Sequence, residues 1–204
     1  MNSGKDPEKI ALVDLDGTLA DYDAAMRRDL IAIANPADEP LGEDFWKLKE
    51  LPWFKARMLT IRSQPGWWRR LARIESGFQI VRLAAEMGFS INVLSKGPDE
   101  HPWAWAEKLE WCQAQPELAN AGVQIVARKN IVYGTVLIDD FGPYMDAWME
   151  HRPRGLGIMP TNASNRDYRH DNVIHWDGTN LEAVRAALQA AYDRGYKGPL
   201  NLSP

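Results

Sequence analysis

Six short apolar runs, separated by helix-like or turn-rich intervals, set the strongest limit on how this chain can fold. They are Ile10-Ala11-Leu12-Val13, Phe89 to Leu94, Val123 to Val126, Val136-Leu137-Ile138, Leu156 to Met159 and Val173-Ile174. A strand with one wet face alternates apolar and polar residues, whereas a nearly continuous apolar run suits a strand covered on both faces, as in a parallel sheet. The intervals supply the covering helices. Ile80, Leu83, Ala84 and Met87 recur at helical spacing before a Gly88 stop. Trp105, Leu109 and Cys112 make a second stripe, and Leu181, Val184, Leu188 and Tyr192 a third that Gly195 is placed to end. A short helix is expected over Pro143 to Met149. The pattern predicts an α/β chain with a doubly wound parallel sheet.

One interval is too long for a single crossover helix. It runs from about Asp21 to Gly88 and opens with a helix-like segment, Asp23 to Ala34. Phe45-Trp46, Trp53-Phe54 and Trp67-Trp68 follow among charges, punctuated by Pro40, Pro52 and Pro65. We read it as a small helical subdomain inserted after the first strand. The expected organisation is an α/β core over residues 9–20 and 78–195, a helical cap over 21–77, and loose termini at 1–8 and 196–204.

The chain has 204 residues, 45% hydrophobic and 25% charged, with a formal net charge of −4. That suits one soluble domain with an insertion. It also argues against duplex nucleic acid as the main partner, which calls for a basic balance. Small anionic ligands remain open, because a local pocket can be positive on an acidic protein. Cys112 is the only cysteine, so neither an internal disulfide nor a cysteine zinc site can form. With no apolar run in the first residues and none of membrane-spanning length, a cytoplasmic protein is expected. The sequence leaves a homodimer open. Asn162-Ala163-Ser164 reads as a chance sequon, and His101, His151, His170 and His175 lack metal-ligand spacing.

The chemistry concentrates at the ends of the strand runs. Asp14-Leu15-Asp16-Gly17-Thr18-Leu19 follows the first directly. It places two carboxylates and a glycine turn at the carboxyl edge, where open α/β sheets bind ligands. Acids that close repel unless a cation or proton relieves them, and Mg2+ is a natural partner for carboxylates, carbonyls, water and phosphate. A calcium loop would need its glycine at the sixth position and a preceding helix; here glycine is fourth and a strand precedes. A plain surface turn is the bland alternative. Against it, the second run ends in Ser95-Lys96-Gly97, Lys129 follows the third, and the fourth ends in Asp139-Asp140. A nucleophile, a hydroxyl, a cation and metal-binding acids thus meet at one sheet edge, the set that phosphoryl transfer needs.

In this order the residues resemble the four motifs of the haloacid dehalogenase-like (HAD) hydrolase superfamily, over roughly Ile10 to Trp176. Within it the chain looks most like the 5'(3')-deoxyribonucleotidases. That likeness rests on Asp14 to Asp21, on Pro65-Gly66-Trp67-Trp68, on a tryptophan-bearing helix after the second motif, and on the spacing from Lys129 to Asp140. It departs at Leu94-Ser95-Lys96-Gly97-Pro98, where those enzymes often carry a Thr-Ser-Pro type turn. The resemblance implies a Rossmann-type core with a helical cap and a Mg2+-dependent phosphatase working through a phosphoaspartate on Asp14, with Asp16 as acid and base. Ser95, Lys96 and Lys129 would hold the phosphate. Asp14, Asp16 through its backbone carbonyl, and the Asp139-Asp140 pair would hold the metal, one of the pair directly and the other through water. A nucleoside monophosphate is the implied substrate; a sugar phosphate, a polynucleotide end reached over Arg152, Arg154, Arg166 and Arg169, and a non-enzymatic binding scaffold are the alternatives. Phe45, Trp46, Trp67 and Trp68 either stack on a base or form the core of the cap. Arg69, Arg70 and Arg73 either touch substrate or make a solvated face.

Overall fold

The computed structural model describes residues 9–195 except Glu39 and Glu100, so the termini expected to be loose lie outside it. All six apolar runs are strands: β1 (Ile10–Val13), β2 (Ser90–Lys96), β3 (Gly122–Val126), β4 (Val136–Ile138), β5 (Leu156–Pro160) and β6 (Val173–Trp176). They form one parallel sheet of order β3-β2-β1-β4-β5-β6. The chain runs outward from β1 to β3, then crosses back to β4 beside β1. A crevice opens at such a reversal, outside the carboxyl ends of the strands.

Burial explains the apolar runs. Ala11, Leu12 and Val13 of β1 and all of β4 are buried, so these central strands have no wet face. Successive side chains still alternate between the faces. Ala11 and Val13 pack with the layer that holds α3 (Glu75–Glu86) and α6 (Leu181–Tyr192), whereas Leu12, Leu94 and Leu137 pack with Met145 and Trp148 of α5 (Gly142–Glu150). The α3 and α6 stripes fall where expected: Ile80, Leu83, Ala84, Val184 and Leu188 are buried.

The helix after β2, α4 (Pro102–Gln113), corrects one expectation. Leu109 of the expected stripe is exposed at 40%, and the inward face carries Ala104, Glu107, Lys108, Trp111 and Cys112. Two charged residues occupy a face that apolar periodicity cannot reveal; their partners lie in the site described below.

Between β1 and α3 the chain forms α1 (Tyr22–Ala32), a 3-10 turn at Phe45–Leu48, α2 (Pro52–Arg62) and a second turn at Trp68–Arg70. Asp21 caps α1 through Ala24 N–H at 3.0 Å, and Pro52 opens α2, a position where its missing N–H costs nothing. Phe45, Phe54, Met58, Ile61, Trp67 and Trp68 are buried and continuous with the core beneath the sheet.

Candidate active site

The backbone of β1 brings the first acids to the crevice. Asp14 N–H donates to Ile138 O at 2.8 Å, fixing the end of β1 against the end of β4, and Asp139 N–H donates to Ile158 O at 3.2 Å. The chain then turns at Gly17, which has φ +86°, a value glycine adopts without strain. A Cβ there would also lie 2.5 Å from Asp140 Oδ2, so the absent side chain leaves room for that carboxylate.

Four aspartates meet two buried lysines. Lys129 sits in the 3-10 turn after β3, with its Nζ 2.5 Å from Asp14 Oδ1 and 2.8 Å from Asp139 Oδ2. The other oxygen of Asp139 accepts Phe141 N–H at 2.9 Å. Burial disfavours charge on Lys129, but the Asp139 and Asp14 carboxylates outweigh it and hold the ammonium above its ordinary range. Burial pushes Asp139 up to about 7 against the pull of Lys129. Asp140 has no lysine within bonding distance. Its partners are neutral: Thr18 Oγ1 at 3.4 Å and Asn162 Nδ2 at 2.9 Å. Burial, and then the Asp14 and Asp139 charges, raise its carboxyl well above the usual carboxylate range. Oxygens of Asp14, Asp139 and Asp140 all lie within 4.8 Å of one another, an all-oxygen set that fits a hard divalent cation.

Lys108 of α4 is the second lysine. Its Nζ donates to Asp16 Oδ2, to Ser95 Oγ at 2.9 Å and to Lys96 O at 2.8 Å. Burial raises the Asp16 carboxyl; Lys108 pulls it down and Asp14 adds to the rise. Ser95 lies within β2, paired with Ile125 and fully buried, rather than in a turn. Lys96, the last residue of that strand, is exposed.

These groups open into a cavity of about 870 Å³ lined by Asp14, Asp16, Lys96, Lys108, Lys129 and Asp140, and by Tyr22, Trp46, Arg62 and Trp68 from the segment after β1. Of the four aromatic candidates, Trp46 and Trp68 line the cavity and Phe45 and Trp67 do not; Phe45, Trp67 and Trp68 are each 3% exposed core residues, and Trp46 is the half-buried one. Trp46 stacks on Tyr22 at 5.8 Å with ring planes 18° apart and donates Nε1–H to Asp23 at 3.1 Å. Trp67 instead turns its Nε1–H to Asp29 at 2.8 Å. Arg69 pairs with Glu110 and Arg73 with Glu117, on the outer surface. Arg166 pairs with Glu43, and Arg152 and Arg169 donate to backbone carbonyls, so these three do not form a free basic path.

Sequence reasoning missed Lys108, Thr18, Asn162, Tyr22 and Arg62. Asn162 had been visible only as a sequon. Thr18 belongs to the acid motif itself, where the sequence gives it no separate role, and Tyr22 follows directly after Asp21.

The family model for the 5' nucleotidase, deoxy (Pyrimidine), cytosolic type C proteins matches residues 8–189. The chain belongs to that family. It is therefore a phosphoric monoester hydrolase of the 5'-nucleotidase type within the HAD superfamily. No curated protein matches the chain. Solved structures agree on the fold. A haloacid dehalogenase-like hydrolase from Burkholderia xenovorans LB400 is similar at 15% identity and TM-score 0.55, covering 90% of this chain and 99% of that one. A HAD family hydrolase from Deinococcus radiodurans R1, solved with bound phosphate and sodium, gives 16% identity and TM-score 0.52 over 92% and 98% of the two chains. Among the described residues no helix is long and apolar enough to cross a membrane.

Proposed function

We propose that the chain is a Mg2+-dependent phosphatase of nucleoside monophosphates, deoxynucleotides foremost, acting through a phosphoaspartate on Asp14. The observation that carries this reading is the convergence of Asp14, Asp139 and Asp140 within 4.8 Å, with Asp14 and Asp140 lining a cavity that Trp46 and Tyr22 also line. The family supports a nucleotide substrate.

The residues present fit the metal. Asp140 is a half-buried carboxylate whose hydrogen-bond partners among the described residues are neutral, and its desolvation, with the charges of Asp14 and Asp139, disfavours the ionised form until a cation arrives. Asp14, Asp140 and the backbone carbonyl of Asp16 would hold Mg2+ directly. Asp139, already engaged by Lys129 and Phe141 N–H, would hold it through water. Bound there, Mg2+ would offset the repulsion between a carboxylate nucleophile and a phosphate dianion.

Asp14 attacks phosphorus, forming an acyl phosphate as the ester P–O bond breaks. Asp16, whose burial favours the protonated form, gives its proton to the leaving alkoxide. It then takes a proton from the water that cleaves the acyl phosphate and releases inorganic phosphate. Ser95, Lys96 and Lys129 hold the non-bridging oxygens and stabilise the charge that builds on them. Residues 21–77 act as the specificity cap, with Trp46 offering a face to the base; stacking of this kind contributes about 1–3 kcal/mol per base. A cytoplasmic setting belongs to the same proposal, and a reduced, buried Cys112 is consistent with it.

The test is phosphate release from deoxy- and ribonucleoside 5'- and 3'-monophosphates and several sugar phosphates, with and without Mg2+. Metal-dependent release favouring deoxynucleotides is expected, and Asp14→Asn should abolish it while leaving the fold intact. Release from sugar phosphates alone would remove the nucleotide assignment. Near wild-type turnover by Asp14→Asn would remove the mechanism.

A further inference from the structure

We infer that Lys108 is a positioning residue for proton transfer at Asp16, and that its helix neighbour Glu107 joins that arrangement to the loop carrying Trp68. The inference rests on the reading of Asp16 as acid and base.

Lys108 is 1% exposed, and an ammonium that deep is tolerated only if fully bonded. It is: an ammonium has three donors, and Nζ gives them to Asp16 Oδ2, Ser95 Oγ and Lys96 O. No donor remains for a phosphate oxygen, so Lys108 does not serve the anion as a free cation would. Its effect must pass through the groups it holds. For Asp16 that hold is decisive, because among the described residues Lys108 is the only side chain that bonds its carboxylate. Oδ2 is fixed and the buried Oδ1 has no partner among the described residues, while the residue lines the cavity. With Oδ1 buried and unpartnered, the contact of Oδ2 with Lys108 alone sets where the carboxylate stands at the edge of the cavity.

Glu107, 6% exposed, accepts the backbone N–H groups of Gly66 and Trp68, the latter at 3.2 Å. That fixes a loop whose Gly66 has φ +80°. The Trp68 ring returns to lie 4.5 Å from Lys108 Nζ. Two consecutive residues of α4 therefore bond the acid and a wall of the substrate cavity.

The experiment compares Lys108→Met with the parent on two kinds of phosphoester: a nucleoside monophosphate, whose alkoxide needs a proton to leave, and 2,4-dinitrophenyl phosphate, whose phenolate does not. Lys108→Met should lose ~100-fold in kcat/KM on the nucleotide, as expected for a misplaced acid. On the dinitrophenyl ester the loss should stay below about fivefold, because protonation contributes little there. In an Asp16→Asn background, Lys108→Met should change the dinitrophenyl rate by less than about twofold, as for residues acting through one another. An equal loss on both esters, or full additivity with Asp16→Asn, would overturn the inference and leave Lys108 a support of Ser95 or of the fold. If Lys108→Met does not fold, Lys108→Arg keeps the charge but moves the donors and should show the same contrast; a uniform loss in that variant overturns the inference equally. A parent inactive on every phosphoester with Mg2+ would defeat the function reading instead. In that case a crystal structure of the Lys108 variant decides: a displaced Asp16 carboxylate upholds its positioning by Lys108, and an unmoved one refutes it.

Discussion

Lys129→Met removes one buried cation from between two buried acids. Methionine has similar length and no charge, so packing is largely kept and the electrostatic loss is isolated. In the parent, Nζ lies 2.5 Å from Asp14 and 2.8 Å from Asp139, with side-chain exposures of 2%, 7% and 0% for the three residues. Breaking a buried ion pair by deleting one partner costs roughly 3–5 kcal/mol. For a domain of this size each kcal/mol corresponds to about 2–4 °C, so Tm should fall by roughly 6–20 °C at pH 8 in EDTA. The sign of the pH dependence follows from the same contacts. Lys129 favours the ionised acids, so its contribution is present where they are charged and lost as they take up protons. Burial already pushes Asp139 up to about 7 with Lys129 in place, and without it the group moves higher. The Tm gap should therefore narrow from pH 8 to pH 5. Thermal unfolding followed by circular dichroism, at several pH values in EDTA, measures this. A gap under about 2 °C at pH 8, or one that widens at pH 5, would refute the reasoning.

Two further outcomes test the metal and the cap. The folded, metal-free protein holds protons on Asp139 and Asp140 that the unfolded chain releases near its ordinary carboxylate value of about 4, so metal-free stability should fall as pH rises from there to about 7, and the Tm gained on adding Mg2+ should grow over the same window. Differential scanning fluorimetry with Mg2+ or EDTA from pH 5 to 8 checks it; a gain independent of pH would contradict it. Trp46→Ala should raise KM for nucleoside monophosphates by roughly 5- to 150-fold, the span of one lost stacking contact, with little change for 2,4-dinitrophenyl phosphate. Steady-state kinetics on both esters measures this, and an equal rise for both would make Trp46 a structural residue.

The sheet was legible because each strand announces itself within its own few residues. A strand covered on both faces must be apolar throughout, and the runs in β1 and β4 need no distant partner to be recognised. The groups fixed by the ends of those strands were legible for the same reason: Asp14, Asp139 and Asp140 follow their strands directly, and parallel register aligns the strand ends at one edge. Ser95 stands at the end of β2, where the sequence places it, and the strand continues one residue further, so the serine is buried within the ladder.

The other half of the site was illegible because its logic is tertiary. Apolar periodicity assumes that a helix turns hydrophobic residues inward, and α4 instead turns Glu107 and Lys108 inward, to partners 41 and 92 positions away in sequence. Leu109, the residue periodicity favoured, faces water. A buried charge is expensive enough that only a specific partner can keep it there, which is why an inward Glu-Lys pair marks a functional helix better than any hydrophobic stripe. The same reasoning separates the tryptophans. Trp67 finds an acceptor in Asp29 and closes into the core away from the cavity; Trp68 is equally buried but borders the cavity, and Trp46 stands half-buried in its wall. Local pattern thus located the strand-end acids, and buried charge, visible only in three dimensions, located the two α4 residues that bond Asp16 and the backbone at Gly66 and Trp68.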